Sequence, residues 1–136
     1  MKYSYEVSGT DFTAAGYASS EIKKILKSLG LPIDTIKRTS IAMYEAEINM
    51  VVHGGGGVAN VEITDKEIII VMEDTGPGIP DIDKAMEEGY STASEKVREL
   101  GFGAGMGLPN IKRNSDFMNI ESQVGVGTKV TIKILI

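Results

Sequence analysis

Asp74 stands at the end of an apolar run, residues 68–72, and Gly76 and Gly78 follow it with a proline between them. A strand that ends on a carboxylate and then turns tightly presents that carboxylate at a pocket edge. Glycines at such a turn let the backbone approach a ligand closely. The expectation from this stretch, MEDTGPGIP, is that Asp74 reads an adenine ring and that other parts of a nucleotide site lie elsewhere in the chain. Gly103, Gly105 and Gly107 are a candidate second part, because they open a segment in which Pro109 suits a first helical turn. The free N–H groups of a helix start favour anions, and glycines there let phosphates come near. Glu45, Asn49 and His53 are a third group. Their spacing of four stacks the three side chains on one face of a helix.

Other phosphate-binding patterns fail. The string G-x-x-x-x-G-K-[ST] does not occur. Gly54, Gly56 and Ala59 fit a dinucleotide-binding string, but they follow a helical pattern and precede a strand, which is the wrong context.

The elements that must position these groups follow from periodicity. Lys2–Ser8 alternates, with Tyr3, Tyr5 and Val7 on one side, as a half-buried strand does. Asp11 or Thr10 caps the next segment, where Phe12, Ala15, Ser19, Ile22, Ile25, Leu26 and Leu29 predict one amphipathic helix closing at Gly30. Pro32 starts a second helix over residues 33–53, with Ile36, Met43, Met50 and Ile33, Ser40, Val51 as its apolar stripe. Residues 58–64 and Glu67–Asp74 read as a β-hairpin, residues 81–88 as a short helix, and residues 89–98 as a polar flap. A further helix runs from Leu108 to about Phe117, and residues 118–123 and 128–136 form a last hairpin. Helices returning to one face of antiparallel hairpins predict an α+β fold, a two-layer α/β sandwich, with residues 1–136 as one domain.

Composition agrees. With 136 residues, 42% hydrophobic and 24% charged, the chain has the make-up of a globular domain with a real core. The absence of cysteine excludes thiolate zinc sites and disulfides. A net charge of −5 argues against nucleic acid as a partner. No apolar run is long enough for a membrane helix, and the start, MKYSYEVSG, has no signal-peptide core, so the expected location is cytoplasmic, away from a membrane. The 16 glycines fall largely in clusters at residues 54–57, 76–78 and 101–107, which suggests backbone-lined ligand loops.

In order, the chain carries Glu45-x-x-x-Asn49-x-x-x-His53, Asp74-x-Gly76-x-Gly78, Gly103-x-Gly105-x-Gly107 and Gly127-Thr128. This set resembles the GHKL ATPase superfamily (gyrase, Hsp90, histidine kinase, MutL) with its Bergerat fold. EDTGPGIPDIDKAMEEGYST, GFGAGMGLPNIKR and IESQVGVGT resemble, more narrowly, the small bacterial anti-sigma factors and switch serine kinases, including the stressosome-type kinases. The resemblance covers the chain from Lys2 to Ile136.

It implies ATP and Mg2+ as cofactors, with Asn49 as the magnesium ligand and Glu45 as the catalytic base. Glu47 is the other carboxylate nearby, but it lies off the stripe. His53 touches phosphate or caps the helix C-terminus, two readings that stay open. Asp74 accepts from the adenine amino group, Gly76, Gly78 and Ile79 line the base pocket, and Thr128 binds the base edge. Gly103, Gly105, Met106, Gly107 and Leu108 surround the phosphates. Lys96 and Arg98 in the flap are candidates to reach the γ-phosphate.

The function implied first is a serine/threonine protein kinase that phosphorylates a serine of a STAS-domain partner. Second is an anti-sigma factor that sequesters an RNA polymerase sigma factor. Third is the ATPase module of a histidine-kinase-like system, although the only histidine, His53, already lies in the stripe. A PP2C-type phosphatase is a further candidate partner. A homodimer through the first strand and helix is compatible with Tyr3 and Tyr5 as apolar outer positions.

Overall fold

The computed structural model describes residues 1–79, 81–82, 86 and 107–136. Five strands form one antiparallel sheet: β1 (Lys2–Ser8), β2 (Gly56–Ile63), β3 (Glu67–Asp74), β4 (Phe117–Gln123) and β5 (Gly127–Leu135). Their spatial order is β1-β2-β3-β5-β4. Among the described residues the helices are α1 (Tyr17–Ser28), α2 (Ile33–Val52) and α3 (Gly107–Asn114), with a 3-10 turn at Phe12–Ala14. This is the expected α+β sandwich.

Alternation along the strands sets the layers. Ala59, Val61, Ile63, Ile68, Ile70, Met72, Val130, Ile132 and Ile134 are buried and form one core with Ile22 and Leu26 of α1, Met43 and Met50 of α2, and Ile111 of α3. Each fully buried side chain of this kind contributes about 1.5–3 kcal/mol relative to exposure. Most intervening positions carry polar groups, including the Glu73–Lys129 pair at 3.9 Å and the Lys2–Glu62 pair at 3.7 Å, with Val58, Ile69 and Val71 as apolar exceptions. In register, Gly57 faces Asp74 across β2–β3, and Glu73 faces Lys129 across β3–β5. The end of β3 that carries Asp74 is thereby fixed between two neighbours.

Four expectations change. The single helix from Asp11 to Gly30 is broken at Gly16, which has φ 95°. That left-handed conformation disfavours any side chain, and a Cβ there would stand 3.0 Å from the Tyr44 ring. Asp11 caps the 3-10 turn instead, accepting the Thr13 N–H at 3.0 Å. Ile33 belongs to no buried stripe. It is 85% exposed in the first turn of α2, ahead of the point where the helix meets the core. The third helix stops at Asn114, because Phe117 already pairs with Lys133 as a strand residue. Tyr3 and Tyr5 are not outer positions either: both are half-buried and pack against the core on the same side as Val7. The flap, residues 89–98, lies outside the described residues, as does most of the short helix expected at 81–88. One helical hydrogen bond there, from Met86 N–H to Ile82 O at 3.0 Å, is described.

Candidate functional site

Glu45, Asn49 and His53 lie on the C-terminal half of α2, all half-buried. The first two meet α3. A Cβ on Gly107 would stand 2.9 Å from Asn49 Oδ1, so only glycine leaves that amide its place. One turn along α3, the Asn110 amide nitrogen lies 3.5 Å from Glu45 Oε1. The glycine-rich segment thus ends against the amide and its helix continues past the carboxylate. His53 is the C-cap of α2, and its N–H donates to Asn49 O at 2.9 Å. Burial holds its imidazole pKa below the ordinary value, while the nearby Asp74 carboxylate works in the opposite sense.

Asp74 forms a second wall. Its Oδ1 accepts the N–H of Gly76 at 3.0 Å and that of Thr128 at 3.2 Å. The first bond closes an Asx turn, and the second ties β3 to β5. A side chain on Gly54 would collide with the Asp74 carboxyl group, so the end of α2 packs directly on this wall. Gly54, Gly56 and Gly57 serve close crossing, with Gly56 against Val7 O and Gly57 packed on Glu73 O and Met50, whereas a side chain at Gly55 would meet open space. Gly78, at φ 80°, backs onto Gln123 and Val124.

Sequence reasoning missed Ser122. Its Oγ accepts the Ile79 N–H at 2.7 Å, contacts Gly127 O at 3.2 Å and lies 2.9 Å from Thr128 Oγ1. A serine hydroxyl has one proton and two lone pairs. With that proton on Gly127 O, the Thr128 hydroxyl donates to Ser122 and keeps its own lone pairs for an incoming donor. The available signal was register: Ser122 pairs with Thr128 across the last hairpin.

Glu47 is the larger surprise. It is 2% exposed, on the side of α2 opposite Glu45, and it reaches the start of α1. Its carboxylate accepts the N–H groups of Gly16 at 2.8 Å, Ala18 at 3.2 Å and Ser19 at 2.9 Å. A helix start leaves such donors unpaired and favours negative charge. α1 has no side-chain cap of its own, so Glu47 fills that role from 28 to 31 residues away. The two carboxylates of α2 are separated by what surrounds them.

Gly103, Gly105, Met106, Lys96 and Arg98 lie outside the described residues. Leu108 is 8% exposed and its side chain joins the core, so only its backbone can face a phosphate. Among the described residues, no group of three His, Cys, Asp or Glu side chains is placed to hold a metal ion, and no helix is long and apolar enough to cross a membrane.

Comparison with known proteins shows the family. Residues 35–136 match the family described as histidine kinase-, DNA gyrase B-, and HSP90-like ATPase. The chain is 36% identical over 112 residues to the serine/threonine-protein kinase RsbT of Bacillus subtilis, covering 79% of this chain and 78% of that one. It is 31% identical over 122 residues to the anti-sigma F factor of Clostridium acetobutylicum, covering 86% and 82%. Among solved structures, the SiaB-SiaC complex from Pseudomonas aeruginosa aligns with TM-score 0.58 at 10% identity, over 98% of this chain and 89% of that one. The mycobacterial sensor histidine kinase MprB aligns with TM-score 0.56 at 15% identity, over 99% and 97%. The chain belongs to the histidine kinase-, gyrase B- and HSP90-like ATPase family, within its branch of small serine kinases and anti-sigma factors.

Proposed function

We propose that the chain is an ATP-dependent serine/threonine kinase of the anti-sigma regulatory type, which phosphorylates a serine of a STAS-domain partner. The observation that carries the reading is the meeting of α2 with α3, where Glu45 and Asn49 face Asn110 and Gly107. The names of the relatives point the same way.

The residues present fit Mg-ATP. Gly107 leaves open the space a Cβ would fill beside the Asn49 amide oxygen, a hard ligand suited to magnesium. A magnesium ion held by one protein ligand, with phosphates and waters completing its shell, needs no cluster of carboxylates. When bound, Mg-ATP supplies the γ-phosphoryl group and the positive charge that offsets its oxygens. Glu45 is assigned the proton of the attacking serine hydroxyl. Asp74 and Thr128 read the adenine edge, with Gly76, Gly78 and Ile79 shaping the pocket beside them. Gly103, Gly105, Met106, Gly107 and Leu108 are assigned to the phosphates, and His53 stands at the C-terminus of α2 near the Asp74 carboxylate.

The test is incubation with Mg-ATP and the STAS-domain protein, followed by mapping of the modified residue. A phosphoserine on the partner is the expected result, and no transfer to a partner shown to bind would sink the reading. The anti-sigma F factor relatives favour a second reading, in which the same domain sequesters a sigma factor. Capture of a sigma subunit in a nucleotide-dependent complex, without transfer to any STAS protein, would select it.

A further inference from the structure

The meeting of α2 and α3 holds more than the two residues assigned to chemistry. Asn110 is half-buried, and its amide nitrogen lies 3.5 Å from Glu45 Oε1. Its amide oxygen accepts from the Arg113 guanidinium, one turn further along α3. Its backbone oxygen accepts from the Asn114 side chain at 2.8 Å. These contacts settle which way the amide points. A guanidinium can only donate and an ionised carboxylate can only accept, so the oxygen faces Arg113 and the NH2 faces Glu45.

The spacing fits the two helices together. Residues 45 and 49, four apart on α2, face 110 and 107, three apart on α3. Gly107 fixes the place of Asn49, and Asn110 is the donor that faces Glu45. A contact of 3.5 Å is longer than a settled hydrogen bond of about 2.7–3.2 Å. Hydrogen bonds at catalytic groups are often long without substrate and tighten when it binds.

We infer that Asn110 is a positioning residue for Glu45: its amide, aimed by Arg113, holds the carboxylate in the rotamer that faces the incoming hydroxyl. α3 follows directly from the glycine-rich segment. The helix that begins at the phosphates therefore also sets the aim of the base. This rests on the proposed role of Glu45, and the experiment separates the two claims.

The first measurement needs no turnover. The Asn110 side-chain NH2 signals, identified by their loss in Asn110→Asp, are followed by NMR in the nucleotide-free protein. They should move on Glu45→Ala and on Arg113→Ala. Signals unmoved by Glu45→Ala would overturn the inference whatever the protein's activity. The second measurement is phosphate transfer or ATP hydrolysis. Asn110→Ala should lower kcat roughly 10-fold, as expected for a misaimed group, with nucleotide Kd and KM within about 2-fold of wild type. Added to Glu45→Ala, it should cause no further loss, since the two act as one unit. A kcat equal to wild type, or an additive loss in the double variant, would overturn the positioning role. Full turnover in Glu45→Ala would instead refute the proposed role of Glu45, leaving the NMR result to decide the contact.

Discussion

Replacing Glu47 tests the claim that a single carboxylate on α2 caps α1. In Glu47→Ala the N–H groups of Gly16, Ala18 and Ser19 lose their acceptor. Ala18 and Ser19 are 1% and 5% exposed, so water does not replace it there, whereas Gly16 is half-buried and partly hydrated. An unsatisfied buried donor costs about 1–3 kcal/mol, so the two at Ala18 and Ser19 together cost about 3–5 kcal/mol near the middle of that range. The expected loss is therefore about 3–5 kcal/mol, a large part of the roughly 5–15 kcal/mol that holds a domain folded. At about 3–5 °C per kcal/mol for a chain of this size, Tm should fall by roughly 10–20 °C. Glu47→Gln keeps one oxygen but turns an NH2 toward a donor, and should lose about 1–2 kcal/mol.

The assay is urea unfolding followed by circular dichroism. The midpoint should fall in the order wild type, Gln, Ala, with the slope unchanged, because the same surface is exposed on unfolding. Glu45→Ala is the control on the same helix. Glu45 is half-buried and its neighbour Asn110 keeps Arg113 as a partner, so its loss should stay within about 1 kcal/mol. A Glu47→Ala variant within about 1 kcal/mol of wild type would refute the reasoning, since three charge-assisted bonds cannot be lost from a buried site so cheaply.

Asn49→Ala should abolish Mg-dependent nucleotide binding in a calorimetric titration, while Glu45→Ala binds normally and loses roughly 10²–10⁴-fold in turnover; equal loss of binding in both would contradict the assignment. Gly107→Ala places a methyl 2.9 Å from Asn49 Oδ1, and the side chain rather than the backbone gives way. Tm should barely change while nucleotide Kd rises roughly 10-fold, one ligand contact's worth, and an unchanged Kd would show that Asn49 does not hold the metal. Burial lowers the His53 pKa, so the unfolded chain binds more protons than the folded one between the depressed value and about 6.5. Stability is then fully present above that ordinary value and declines as pH falls through the depressed one. His53→Gln should flatten that slope in unfolding measured from pH 7.5 to 5, and Asp74→Asn should depress the His53 titration further by NMR.

The fold was legible because period-two alternation in β1 and in β5 leaves little choice about which face is buried. The bounds of β1 follow from it, and those of β3 from the apolar run at residues 68–72 between charged ends, both without correction. The stripe of Glu45 and Asn49 was legible for the same geometric reason. What escaped depends on contacts between distant segments. Nothing in the local pattern of Phe12, Ala15 and Ser19 reveals that Gly16 takes φ 95° and hands its N–H to a carboxylate 31 residues away. Ser122 looks like any polar strand residue until its partner Ile79, 43 residues earlier, is in place. Asn110 sits 65 residues from Glu45. Local periodicity fixes which face of an element is buried, but not what that face meets.

This limit bears directly on the choice between Glu45 and Glu47. Two carboxylates two residues apart on a helix point to nearly opposite sides, about 200° around the axis. Each type could take a proton, and composition cannot rank them. Their surroundings do. A carboxylate holding three backbone N–H groups in a buried pocket is anchored and closed to an incoming hydroxyl. One that meets, among the described residues, one side-chain amide and is half-buried next to the glycine-rich segment keeps lone pairs to use. The same division fixes the roll of α2. Glu47 ties one side to α1, while Gly107 and Asn110 meet the other through Asn49 and Glu45. A roll of α2 that improved one side would break the other, so the anchor that stabilises the fold also holds the aim of the residues assigned to chemistry.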